Sequence, residues 1–337
     1  MSPASTSVTE LESAPVLSPA AGESLTVAQL SAKLAARPTR RGWRLSRWSG
    51  AAGSRPRESA ALRRERELRK RICQPVIGDY NIAVLSVKGG VGKTTTCLCL
   101  GATFAAIRND RVVALDANPD FGTLAARVAQ PNPASIRDLL AAHDTSRYSQ
   151  VRAFTSATDS RLEVLGSECD PNSDAPLSPQ EYSAALDILR HHYTISITDC
   201  GTGLMHPITE AIVQQADCLV LVTTPALDGV HSAWATLDWL SAHGYAELVA
   251  ATVVVVNSLT AEGLDQDAVV ELFGRRCRAV HVIPHDRHIA AGAAIELESL
   301  REPTAAAFRQ LAALIADDFA QLSGRHADAQ LPGVHPY

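Results

Sequence analysis

Seven apolar runs rich in valine, isoleucine and leucine recur from Asn81 onward, each separated from the next by a segment of helical period. The runs are 81–87 (NIAVLSV), 111–116 (RVVALD), 162–165 (LEVL), 193–198 (YTISIT), 217–223 (DCLVLVT), 251–256 (ATVVVV) and 279–283 (AVHVI). Continuous β-branched runs of this kind suit strands covered on both faces, which is the condition of a parallel sheet. Helical stretches fall near 93–108, 134–142, 179–191, 229–242, 264–273 and 303–322. Alternation of this kind predicts an α/β fold: a doubly wound, mostly parallel sheet with helices on both faces and ligands at the carboxyl ends of its strands.

The region ahead of the sheet reads differently. Residues 1–32 hold three acids, no Lys or Arg and no apolar period, and are expected to be disordered. Residues 33–71 hold 14 Lys/Arg against three acids, whereas 72–337 carry 17 Lys/Arg and 30 Asp/Glu. A basic arm thus precedes an acidic body. Nucleic acid, anionic lipid or an acidic protein face are its candidate partners, with a solvated linker as the plain alternative. Within the arm, 58–72 reads as a short charged helix, and Trp43 and Trp48 do not share a helical face. The expected organisation is a disordered N-terminus (1–32), a basic arm (33–75), one α/β domain (76–325) and a flexible tail (326–337). The first basic residue is Lys33 and no apolar run approaches a membrane span, so a cytoplasmic location is expected. The alternative is peripheral placement at the inner face of a membrane.

The first strand ends in Ser86-Val87-Lys88-Gly89-Gly90-Val91-Gly92-Lys93-Thr94-Thr95-Thr96, ahead of a helix. Glycines let backbone amides close around phosphate oxygens, and the helix N-terminus adds its positive dipole end. Lys93 would reach the β- and γ-phosphates, and the Thr94 hydroxyl would ligate Mg²⁺. Two of the chain's four lysines, Lys88 and Lys93, fall in this loop. A plain Gly-rich turn does not account for that.

KGGVGKTTT resembles the deviant Walker A motif of the MinD/ParA/Mrp ATPases. The likeness spans about residues 76–323 and implies a P-loop fold that binds ATP with Mg²⁺ through Gly89, Gly90, Val91, Gly92, Lys93, Thr94 and Thr95. It also implies that Lys88 reaches across an ATP-dependent homodimer to the partner's nucleotide. Asp116-Ala117-Asn118-Pro119 is similar to that family's switch I, with Asn118 where an acid usually orients the attacking water. Asparagine holds a water but brings no negative charge to polarise it, so slow turnover is expected, with Asp120 as a candidate substitute. Asp199-Cys200-Gly201-Thr202-Gly203 resembles the Walker B and switch II region, which gives Asp199 to the metal and the Gly203 amide to the γ-phosphate. Asn257 and Pro284 correspond to base-side positions. Asn257-Ser258-Leu259-Thr260 lacks the Lys and Asp of a guanine reader, which favours adenine.

RRGWR (40–44), LDWL (237–240), DRHIAAG (286–292) and the arginine-rich, lysine-poor usage are similar to MinD-like proteins of type VII (ESX) secretion systems. Those relatives often carry a disordered Pro/Ala-rich extension before the ATPase. The resemblance implies a switch serving a secretion machine, with one of its components as protein partner. Two other functions stay open: a chromosome or plasmid partition ATPase that binds DNA without sequence preference, and a nucleotide-sensing scaffold with little turnover. The last helix carries Asp317 and Asp318 rather than the basic face of a membrane-binding helix. The seven cysteines lack a CxxC pair and read as reduced thiols, and the histidines read as surface or loop residues rather than zinc ligands.

Overall fold

A computed structural model describes residues 60–119, 122–167, 176–258 and 264–322. Eight strands form one sheet: β1 (Tyr80–Leu85), β2 (Val112–Ala117), β3 (Ser156–Ala157), β4 (Glu163–Leu165), β5 (Ile195–Cys200), β6 (Cys218–Thr223), β7 (Val253–Asn257) and β8 (Ala279–Ile283). Their order is β3-β4-β2-β5-β1-β6-β7-β8, and every pairing is parallel except β3 with β4. The expected doubly wound α/β architecture is what the chain adopts.

The β-branched runs are buried on both faces because successive side chains alternate between two cores. Ile82 and Val84 of β1 join Val253 and Val255 of β7 on one side, beneath α2 (Lys93–Ile107). Ala83, Leu85, Val254 and Val256 face the other side. There they meet α5 (Pro179–Arg190), α6 (Pro207–Gln214), α7 (Leu227–Ala242) and α9 (Gln266–Gly274). Helices α3 (Ile136–Leu140), α4 (Tyr148–Arg152) and α8 (Ala246–Ala251) are short connectors, and α10 (Arg287–Ala290) follows β8. Helix α3 starts at a capping box of Ser135 and Asp138, and α5 at one of Ser178 and Glu181 with Pro179 inside its first turn.

The charged segment ahead of the sheet forms α1 (Ala60–Ile72). It places Leu68 and Ile72 in the first core, against α11 (Glu302–Ala316). Arg71 Nη2 pairs with Asp317 at 2.6 Å and Glu65 with Arg309 at 3.3 Å, so α1 runs parallel to α11. Arg63, Arg64, Arg66, Arg69 and Lys70 stay exposed along it. The final helical stretch is not continuous. It stops at Ala316 and resumes as α12 (Phe319–Leu322), because Asp317 turns to Arg71 and Asp318 turns to Arg278 at 2.7 Å. Ile315, Ala316 and Phe319 are fully buried, which makes this terminus a core element. Among the described residues no helix is long and apolar enough to cross a membrane.

Candidate nucleotide site

β1 lies at the middle of the sheet, between β5 and β6, where the winding reverses direction. The loop after it, Ser86–Gly92, opens at that switch point, and α2 begins at Lys93. Gly90 has φ +75° and Gly92 φ +89°, a region that L side chains rarely occupy. A Cβ on Gly92 would also stand 2.6 Å from Asn257 Nδ2. That amide donates to Val91 O at 2.8 Å and to Thr96 Oγ1 at 3.3 Å. Asn257, expected at the base, therefore also braces the loop from behind.

Asp199, at the end of β5, is 1% exposed and grips the loop with both oxygens. Lys93 Nζ donates to Oδ1 at 2.6 Å and Thr94 Oγ1 to Oδ2 at 2.6 Å. Burial pulls the Lys93 ammonium down, and Asp199 outweighs it, leaving the lysine above its ordinary value. Asp116 stands opposite Asp199 in the β2–β5 register. Its carboxylate accepts from Leu124 N at 2.9 Å and Asn118 N at 3.2 Å. Burial, and then the neighbouring Asp199 charge, push the Asp116 carboxyl up to about 6. Thr94, Asp199 and Asp116 bring hard oxygen donors together, a set that suits Mg²⁺ shared with phosphates.

The two switch-like segments meet. A Cβ on Gly201 would lie 2.6 Å from Pro119 and 3.1 Å from Asn118 Oδ1, so this glycine permits the close approach. Gly203 is fixed through its carbonyl, which accepts from Thr209 Oγ1 at 2.7 Å and His206 N at 3.2 Å at the start of α6. Asp120 lies outside the described residues. Lys88 Nζ forms an ion pair with Asp228 in the first turn of α7, and the two side chains are 36% and 67% exposed. The hydrogen bond from Lys88, with one from Gly229 N, holds the Asp228 carboxyl below its ordinary value.

These elements surround a pocket of about 460 Å³. Its wall includes Lys88, Gly89, Gly90, Gly92, Lys93, Thr94 and Thr95 from the loop, Asn257 from β7 and Pro284 after β8. Thr123, Arg127, Thr202, Ser258, Ile283 and part of the 285–292 segment complete it, with Phe308 of α11. Val91 is buried behind the loop. Thr123, Arg127 and Phe308 are among the wall residues that sequence reasoning missed: Thr123 and Arg127 lie in an irregular stretch after β2, and Phe308 sits in an apolar helical stripe that reads as core. Two of the described histidines serve local hydrogen bonds, His281 Nε2 with Ala307 O at 2.8 Å and His192 Nε2 with Thr145 O at 2.7 Å. The six described cysteines are free thiols.

Comparison with known proteins agrees with this architecture. Residues 82–294 match the CobQ/CobB/MinD/ParA nucleotide binding domain. The ESX-1 secretion-associated protein EspI of Mycobacterium tuberculosis is 36% identical over 297 residues, covering 85% of this chain and 44% of that protein. This chain thus spans less than half of that relative. The septum site-determining protein MinD of Synechocystis is 29% identical over 187 residues, 54% of this chain and 65% of that one. Among solved structures, a ParA family ATPase from Chlorobium tepidum superposes with a TM-score of 0.60 at 18% identity, covering 70% of this chain and 98% of its own. With its P-loop at the switch point and a family match over most of its length, this chain belongs to the CobQ/CobB/MinD/ParA nucleotide-binding domain family.

Proposed function

We propose that this protein is an ATP-binding, slowly hydrolysing switch that dimerises on ATP and regulates a type VII (ESX) secretion machine. The observation that carries the reading is the pair of lysines on one phosphate loop. Lys93 is buried on Asp199, as a phosphate-binding lysine waiting for its ligand would be. Lys88 has no such task in its own subunit: it stands half-exposed at the pocket rim on Asp228, free to exchange that carboxylate for a phosphate of a second subunit's nucleotide.

Loop amides and the first turn of α2 would hold the phosphates, while Asn257, Ser258 and Pro284 would flank the adenine. Mg²⁺, taken by Thr94 and Asp199 with Asp116 alongside, would supply charge neutralisation at the β- and γ-phosphates. Asn118, packed against Gly201 beside the same site, would orient a water without adding charge, which accounts for slow turnover. The secretion role is supported by the likeness to EspI, and in it the protein would act at the cytoplasmic face with a secretion component.

One observation favours a second reading. The exposed basic residues of α1 (Arg63, Arg64, Arg66, Arg69 and Lys70) form a cationic face, as a partition ATPase on DNA would use. Residues 33–59, which hold the rest of the basic arm, lie outside the described residues. ATP-dependent DNA retention that falls steeply with salt would favour partition over secretion.

The test is equilibrium binding of ATP, ADP and GTP with Mg²⁺, with phosphate release followed in parallel. ATP binding that excludes GTP, disappears in Lys93→Ala and turns over slowly is the expected result. A protein that binds no adenine nucleotide, or prefers GTP, contradicts the reading.

A further inference from the structure

The short 3₁₀ turn Ala125–Arg127 follows β2 and carries Arg127 into the pocket wall. Its Nη2 donates to Thr95 Oγ1 at 3.1 Å, while its Nε is buried with no partner. Among the described residues no carboxylate pairs with this guanidinium. Asp286 lines the same pocket but is occupied, accepting from His288 N at 2.9 Å and Arg301 N at 3.0 Å. A partly buried cation with a spare, desolvated donor is costly unless an acceptor arrives, and a planar donor fork matches the oxygens of a phosphate.

Its position says which phosphate. Lys93 and Thr94, on Asp199, mark the end of the pocket that takes the β- and γ-groups. Arg127 instead sits at Thr95, one step further along α2. Its carbonyl accepts from Ile295 N at 3.0 Å, tying it to the segment that follows Ile289, Ala290 and Gly292 of the opposite wall. It therefore stands between the phosphate loop and the base side. We propose that Arg127 binds the α-phosphate of the nucleotide, an anchor common to the di- and triphosphate forms. This inference rests on the nucleotide reading of the pocket.

Calorimetric titration of ATP and of ADP into wild type, Arg127→Ala and Arg127→Lys tests it, with nucleotide-free melting as the check on folding. Arg127→Ala should weaken both nucleotides by the same factor, about tenfold or more, because a charge-assisted contact is lost. Arg127→Lys should regain part of that loss by keeping the charge without the fork. Unchanged affinities in Arg127→Ala overturn the proposal while leaving nucleotide binding intact. A loss confined to ATP would put the guanidinium at the γ-phosphate and overturns it too. Should alanine lower the nucleotide-free melting temperature, Arg127→Lys against Arg127→Gln carries the comparison: equal affinities in that pair also overturn it. A wild type that binds neither nucleotide removes the broader reading as well.

Discussion

Replacing Lys93 by methionine keeps the length of the side chain and removes its charge. In the nucleotide-free protein that strands Asp199, 1% exposed, beside the buried Asp116. Breaking a buried ion pair by removing one partner costs about 3–5 kcal/mol, because the remaining charge is left uncompensated. For a domain of this size each kcal/mol lowers Tm by roughly 2–4 °C, so a fall of roughly 6–20 °C is expected. The loss should depend on pH. Asp116 sits at about 6, raised first by burial and then by Asp199, with Lys93 pulling it down. A carboxyl raised in the folded state contributes stability below its unfolded value and loses it as pH rises through the folded one. Without Lys93 that folded value moves higher, so the deficit should widen between pH 6 and pH 8. Differential scanning calorimetry at several pH values reads both effects. Lys93→Met/Asp199→Asn should recover most of the loss, since the pair then couples no charge. A Lys93→Met protein that melts like wild type at pH 8 would show that Lys93 is not seated on Asp199, and the site geometry would be wrong.

Other outcomes follow from the same contacts. Lys88→Ala should keep ATP affinity and lose the ATP-dependent dimer, whereas Asp228→Ala should free Lys88 and favour the dimer a few-fold, both read by sedimentation. Asn118→Asp should raise phosphate release about tenfold or more by restoring a charge beside the attacking water, and an unchanged rate would remove Asn118 as the brake. Gly92→Ala, at φ +89° and against Asn257, should cost about 1–2 kcal/mol in backbone strain alone and abolish nucleotide binding. Ile72→Ala, at a fully buried contact of α1, should cost about 2–5 kcal/mol by chemical denaturation. No loss there would mean that α1 is not part of the folded core.

The sheet was legible because its strands are continuous β-branched runs, and seven of the eight observed strands fall on them. The missed strand, Ser156–Ala157, is two residues long and pairs antiparallel at the edge, too short for a period to show. Helix α6 was missed because its cap is His206, whose Nδ1 accepts from Ile208 N at 3.3 Å, in place of the usual Ser, Thr, Asp or Asn. The break at Asp317 depends on arginines far away in sequence, Arg71 and Arg278. The phosphate loop could be read directly since its chemistry is contiguous. Three features have no local pattern: the Lys88–Asp228 pair, the brace from Asn257 and the placement of Arg127. Each depends on chain segments that only the winding of the sheet brings together.

The central claim is a two-subunit switch closed by ATP, and light scattering on the purified protein tests it most directly. The mass should stay that of a monomer with Mg²⁺ alone and with Mg-ADP, and double with Mg-ATP in wild type while staying single in Lys88→Ala. A mass that ignores nucleotide, or a Lys88→Ala protein that still dimerises on ATP, would contradict the account.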